Sequence, residues 1–376
     1  MRSMNERVGR IQTVRGLVDP SELGRTLMHE HFLFDLRPMH KRLPWDTDGS
    51  YANAKATPRL RAKLQWDWFG NIDELFVDDE ALVVEEVDLF KAAGGGAIVD
   101  CTTVGLARNP EALRRISDAA GVHVTMGAGY YQDRCLPASF DALTEDQIAD
   151  EIVCDIEDGV PGARAADGTP IKAGHIGKIG TTTPTERELR SLRGAARAQG
   201  RTGAMLNIHQ SYVPGDRAIQ HMLADVVEQN GGDLHRTVFS HMDRTGQDVE
   251  QQLSLLRRGI TIEYDEFGYE NGNRAWDRSS IQDVQRVRDI ARLAEAGFMG
   301  QLAVAHDISF KRMLVANGGW GFAHLLERVV DGFRWAGLSD ADVDQLLIHT
   351  PARLLAFSAP TTPAEAASSG AGRGAA

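Results

Sequence analysis

Six side chains in this sequence have types and spacings suited to holding metal ions. His29 and His31 (MHEHF) sit two apart within an apolar run. Along a β-strand alternate side chains share a face, so both imidazoles point the same way and can ligate one ion. Alone, the pair is explained equally well as two unrelated histidines of an edge strand. The later runs shift that balance. His209 closes one run (MLNIH), His241 closes the next (TVFSH), and Asp307 follows the last (LAVAHD). Imidazole and carboxylate donors of this kind suit zinc, with manganese, cobalt or iron as substitutes. Lys178 ends another run (AGHIGKIGT). An ammonium there would repel cations, but a buried amine readily loses its proton. A neutral amine beside metal ions can add carbon dioxide, and the resulting carbamate offers oxygens to two ions. The plainer alternative is a lysine paired with a nearby carboxylate.

These residues share a site only if several strand ends meet. Eight apolar runs read as strands: 26–34, 96–102, 123–129, 172–180, 204–209, 237–241, 260–265 and 301–306. Helical apolar spacing occupies 79–93, 110–120, 144–156, 185–198 and 281–296, with two further helices expected at 322–335 and 340–348. Alternating strands and helices imply a parallel sheet, either open and doubly wound or closed. A closed barrel gathers the C-terminal strand ends around one mouth, where catalytic groups come from different strands. Three imidazole-bearing strands and a carboxylate at one level favour that choice. The expectation is a distorted (β/α)₈ TIM barrel with an N-terminal arm folded as a short hairpin and helices at the C-terminus. With no repeat or linker, residues 1–359 read as one domain, and 360–376 (PTTPAEAASSGAGRGAA) as a disordered low-complexity tail.

Composition narrows the partners. Of 376 residues, 42% are hydrophobic and 25% charged, as in soluble globular proteins. The net charge of −12 disfavours nucleic acid or an anionic membrane, which need a basic face. No apolar run is long enough to span a bilayer, and the first twenty residues lack a secretory h-region. Cys101, Cys135 and Cys154 form no CxxC pair and read as free thiols of a reducing compartment. A cytoplasmic protein acting on a small molecule is expected. The exposed aromatics of an insertion could also serve a homodimer.

Taken together, ELGRTLMHEHFLFDL, IVDCTTVGLARNPEALRRIS, GAGYY, KAGHIGKIGT, FSHMD, VAHDIS and TPARLLAF resemble the phosphotriesterase family of the amidohydrolase superfamily, over residues 14–357. The resemblance implies that His29, His31 and Asp307 bind one divalent ion and His209 and His241 a second. It also implies that N6-carboxylated Lys178 bridges the two. A metal-bridging hydroxide would be the nucleophile, and Asp307 the group that accepts and passes on its proton.

Substrate recognition is less determined. Tyr131 (GAGYY) stands where lactone-hydrolysing relatives carry tyrosine; a packed aromatic explains it equally well. Glu266 (IEYDEF) departs from relatives that place histidine or arginine there, and a carboxylate at the mouth would disfavour anions. Lys311 and Arg312 (KRMLVANGGWGF) pull the other way by suiting an anionic group. An insertion at 37–78 brings Trp45, Trp66 and Trp68, either to the mouth or as anchors. His306, His123 and His175 read as structural, Asp100 as a candidate supporting group, and Gly94–Gly96 as a helix-to-strand turn rather than a phosphate loop. The expected reaction is hydrolysis of a carboxylic ester, foremost a lactone, with phosphotriesterase side activity. Amide or true phosphotriester hydrolysis follows, and a metal-bound sensor or binding protein is the non-enzymatic alternative.

Overall fold

The computed structural model describes residues 6–181, 184–210, 217–245, 248–270 and 281–360. Its centre is an eight-stranded sheet: β1 (Arg25–Glu30), β2 (Gly95–Asp100), β3 (His123–Ala128), β4 (His175–Gly180), β5 (Leu206–His209), β6 (Thr237–Ser240), β7 (Thr261–Tyr264) and β8 (Leu302–Val304). The strands neighbour one another in sequence order and every adjacent pair runs parallel. Just beyond β8, the Asp307 amide donates to the His29 carbonyl of β1 at 3.1 Å, which draws the two edges together. The result is a distorted (β/α)₈ barrel.

Each strand overlaps an expected run, but several runs overshoot at their C-terminal ends. The backbone explains this at one of them, the run closed by His241, and Asp307, just past the last run, has the same conformation. His241 (φ 58°) and Asp307 (φ 48°) lie in the left-handed region, where strand pairing stops and non-glycine residues are strained. Both are expected metal ligands, so the departure from regular structure coincides with the chemistry.

The five helices expected between strands form at Glu80–Ala92, Pro110–Ala120, Glu145–Glu157, Glu186–Thr202 and Asp283–Glu295. Their ends follow local rules. Asn109 caps the second, Pro110 opens it, and Gly121 ends it in the left-handed conformation. Thr144 with Gln147, and Thr185 with Glu188, form reciprocal capping boxes. Helices at Ala218–Gln229 and Val249–Leu256 were not among the expected elements. The C-terminal helices form with π-turns at Leu325–Val329 and Gln345–His349.

The N-terminal arm makes the expected hairpin, Ile11–Thr13 against Gly16–Val18, and is tied to the barrel by the Val14 amide on the Val124 carbonyl at 2.8 Å. The insertion is closed at its base where Phe34–Asp35 pairs antiparallel with Phe76–Val77. It has its own small core of Tyr51, Ala56 and Leu64. Gly177 (φ +117°) shows why β4 can approach β5 so closely: a Cβ there would collide with the Asn207 carbonyl. That approach holds the adjacent Lys178, 2% exposed, inside the barrel.

The three cysteines are unpaired. Among the described residues no helix is long and apolar enough to cross a membrane. From residue 361 on, the expected tail lies outside the described residues.

Candidate metal centre

All six expected ligands meet at the C-terminal rim of the barrel. On one side, His29 Nε2 and His31 Nε2 stand 3.5 and 3.2 Å from Asp307 Oδ1. Their other ring nitrogens are engaged. His29 Nδ1 faces Glu263 at 2.9 Å, Asp265 at 3.1 Å and the Ser240 hydroxyl at 3.1 Å, while His31 Nδ1 faces the Thr102 hydroxyl at 2.8 Å. Both Nε2 atoms are buried and, despite their closeness to Asp307, make no directed hydrogen bond. Unpartnered buried polar atoms are costly and rare. Two of them turned onto one carboxylate, with ligand atoms within 4.8 Å of one another, fit a divalent cation.

On the other side, His209 Nδ1 and His241 Nε2 approach to 2.7 Å, with ring centroids 4.4 Å apart. His241 Nδ1 is held by Asp265 at 2.9 Å, and His209 Nε2 accepts from the Gln132 side-chain amide at 2.9 Å. Each ring therefore presents one nitrogen to the same point. The His29 and His241 rings lie 5.2 Å apart, so the two pairs stand side by side. Lys178 Nζ donates to Asp307 Oδ1 at 3.1 Å and lies 5.4 Å from the Tyr131 ring centroid. His29, His241 and Asp265 also lie within ligating distance of one another. Asp265, however, already accepts from both rings' Nδ1 positions and from the His241 amide, which makes it the group that orients them.

Electrostatics divides the histidines. Burial and Lys178 push His31 down to about 3, and burial with His241 holds His209 well below the usual imidazole range. For His29, burial and Lys178 oppose the charge, yet Asp265 and Glu263 outweigh them and raise it to about 10. The carboxylates thus hold a proton where a cation would sit. Lys178 corrects one step of the sequence argument. Burial does work against its charge, but Asp307 outweighs it and holds the amine above the ordinary lysine value. Burial alone does not make this amine neutral; a cation on Asp307 is needed to remove that support. The pairing of Lys178 with Asp307 is the plainer alternative of the sequence reading, and it coexists with the ligand geometry.

The expected substrate residues divide differently. Tyr131 is 4% exposed, stands edge-on to His209 at 5.4 Å, and has its hydroxyl hydrogen-bonded to Gln132 at 3.1 Å. It lies at the centre. Glu266 is not a free carboxylate at the mouth. It is 3% exposed and accepts from Arg244 Nε at 2.8 Å and from Arg244 Nη2. Lys311 pairs with Asp73 at 3.2 Å, and the buried Arg312 with Glu74, so both cations tie down the insertion. Trp68 packs on Tyr269, whose hydroxyl donates to the Asp307 carbonyl at 2.9 Å, whereas Trp45 (41% exposed) faces outward.

His306 turns away to Glu30 at 2.7 Å, His123 lies beside Arg15, and His175 is enclosed next to Cys101. Asp100 supports the site through backbone, accepting from the amides of Phe32 and Thr102 and so fixing the segments that carry His31 and its hydroxyl partner. Sequence reasoning missed Glu263, Asp265, Thr102, Gln132 and Arg244. One signal was available. Glu263 and Asp265 are two apart at the end of β7, the same spacing that singled out His29 and His31.

Residues 9–355 match the model of the phosphotriesterase family. The N-acetyltaurine hydrolase of Danio rerio is 36% identical over 359 residues, covering 94% of this chain and 100% of its own. The crystal structure of a resiniferatoxin-binding protein from Rhodobacter sphaeroides superposes with a TM-score of 0.86 at 38% identity, over 92% of this chain and 95% of that one. A lactonase from Listeria monocytogenes shares the fold, with a TM-score of 0.72 at 22% identity over 93% and 99% of the two chains. With the histidine pairs, the lysine and the aspartate gathered at the barrel rim, and with a match this complete, the chain belongs to the phosphotriesterase family.

Proposed function

We propose that this chain is a binuclear metal-dependent hydrolase of small acyl compounds, with an N-acyl amide as its substrate. One observation carries the metal reading: the buried, unpartnered Nε2 atoms of His29 and His31 both face Asp307. His29, His31 and Asp307 would hold one ion and His209 and His241 the other, with Lys178, as its carbamate, giving an oxygen to each. Two divalent ions held there lower the pKa of a water and polarise the acyl oxygen. The donor set suits zinc, with manganese, cobalt or iron able to replace it.

The remaining chemistry belongs to the chain's own residues. Glu263, Asp265 and Thr102 fix ring orientation and decide which nitrogen of each imidazole carries its hydrogen. Asp307 is held far below the usual carboxylate range: burial opposes this, but Lys178, His31 and His29 prevail. It is ionised there, and once Lys178 is no longer cationic the carboxylate would be placed to take a proton from the attacking water and hand it to the departing nitrogen. Amines leave poorly unless protonated, so this transfer matters more for an amide than for an ester. Tyr131, pushed up to about 12 chiefly by burial, keeps its hydroxyl hydrogen and can donate to the acyl group.

The sequence reading put a lactone first. Likeness to a lactonase rests on 22% identity, which speaks to fold, whereas the N-acetyltaurine hydrolase is similar over its full length. That difference moves the amide ahead and leaves the lactone as a side substrate. Metal-dependent binding without turnover is the second reading, favoured by the resiniferatoxin-binding protein. The test is a panel of N-acyl amines, lactones and aryl phosphotriesters on metal-reconstituted protein. The proposal expects amides to be cleaved fastest and chelation to abolish cleavage. Turnover of lactones alone would overturn the amide assignment, and binding with no turnover would favour the second reading.

A further inference from the structure

Arg244 lies three residues beyond His241, and its amide donates to the His241 carbonyl at 3.2 Å. Its guanidinium bonds Glu266, the residue after the Asp265 that orients His241, and so lies at the same rim as the second histidine pair. Glu266 accepts from Nε and Nη2 with a single oxygen, Oε1. This clamps one edge of the guanidinium and leaves Nη1 with no hydrogen-bond partner among the described residues. The Arg244 side chain is 29% exposed, whereas Glu266 is 4%. The carboxylate is thus the buried anchor and the guanidinium the accessible element. Behind Glu266, its amide is held by Asp243 at 3.1 Å, and Asp243 accepts from Arg286 at 2.8 Å. The anchor is itself fixed.

A planar guanidinium held along one edge keeps the other free for bidentate contact with an oxyanion. We propose that Arg244 is a specificity residue that receives an anionic group, a carboxylate or sulfonate, on the leaving-amine side of the substrate, and that Glu266 is its positioning residue. This rests on the hydrolase reading and names its substrate class. It also reverses the expectation drawn from Glu266 alone. The carboxylate does not repel an anion at the mouth; it aims the cation that attracts one.

The test compares N-acetyltaurine with the uncharged N-acetylethanolamine in the metal-loaded wild type and in Arg244→Ala, Arg244→Lys and Glu266→Gln. Charge-assisted contacts of this kind are worth roughly 10- to 100-fold in affinity. The preference for the anionic over the neutral substrate should fall by about that factor in Arg244→Ala, through KM more than kcat, and be partly restored in Arg244→Lys. Glu266→Gln should weaken the same preference, whereas a merely structural role would lower both substrates alike. Binding of ethanesulfonate, measured by calorimetry, gives a readout independent of amide cleavage. If the wild type cleaves no amide yet binds ethanesulfonate through Arg244, the amide reading fails and the anion site stands. If Arg244→Ala leaves both the ethanesulfonate affinity and the anion preference unchanged at unaltered metal content, the proposal is overturned.

Discussion

The ring of strand ends and the insertion at 37–78 are assembled by different means. At the ring, polar side chains sit on the strand ends or just past them, and they are oriented by neighbours carried at the ends of other strands: Glu263 and Asp265 behind His29, Asp265 behind His241, Thr102 behind His31. The insertion carries its own apolar cluster and is fastened to the barrel by Arg312 with Glu74, Lys311 with Asp73, and Trp68 on Tyr269. The ring cannot shift one member without disturbing the rest. The insertion can be altered piece by piece. Chemistry is thus fixed by the barrel, while the surroundings of the mouth can vary.

The comparison predicts that damage to the insertion appears as lost stability and damage to the ring as lost metal. The largest effect belongs to Glu74→Ala, which strands the buried Arg312 guanidinium. Breaking such a pair costs roughly 3–5 kcal/mol, so the melting temperature should fall while metal content per folded chain holds. A variant that melts normally but loses metal would blur the two regions into one. Asp265→Asn should do the reverse. Removing a carboxylate behind metal-binding rings weakens affinity about 10- to 100-fold, read by competition with a chelator. Unchanged affinity would remove Asp265 from the support of the site.

The third effect is a pH dependence. In chelated protein His29 keeps its proton up to about 10, because the carboxylates outweigh burial. A cation must expel that proton, so affinity should rise with pH, by about tenfold per unit for each proton released, from about pH 6 to about pH 9. His31, held down to about 3, contributes nothing to this slope. A flat profile would mean that His29 does not change protonation on binding. The smallest effect is that of Trp45→Ala, which is 41% exposed and loses its ring contact with Tyr51, about 1 kcal/mol in stability. A marked loss would give the exposed aromatics of the insertion a role, such as contact between two copies of the chain.

What the sequence made legible follows the same division. The eight strands, the barrel and the six converging residues came from periodicity and from strand-end positions, because the period-2 rule and the meeting of strand ends are local and topological facts. Partnerships across long stretches of chain were not legible. Nothing near Glu266 announces Arg244, and nothing near Arg312 announces Glu74, 238 residues away. Reading each charge alone gave Glu266 and Lys311 opposite substrate preferences, and their partners remove that conflict. What holds the charge on Lys178 in the absence of a cation was hidden for the same reason, since burial is visible as a tendency but the opposing Asp307 is visible only in three dimensions.

The central claim is that six side chains at one rim hold a pair of divalent cations with Lys178 between them. It is tested most directly by metal content, measured by mass spectrometry on protein reconstituted with zinc and bicarbonate, for the wild type and Lys178→Ala. The account predicts about two ions per wild-type chain and about one or fewer in the variant, with partial recovery on adding a small carboxylic acid. An equal metal content in both proteins would contradict it.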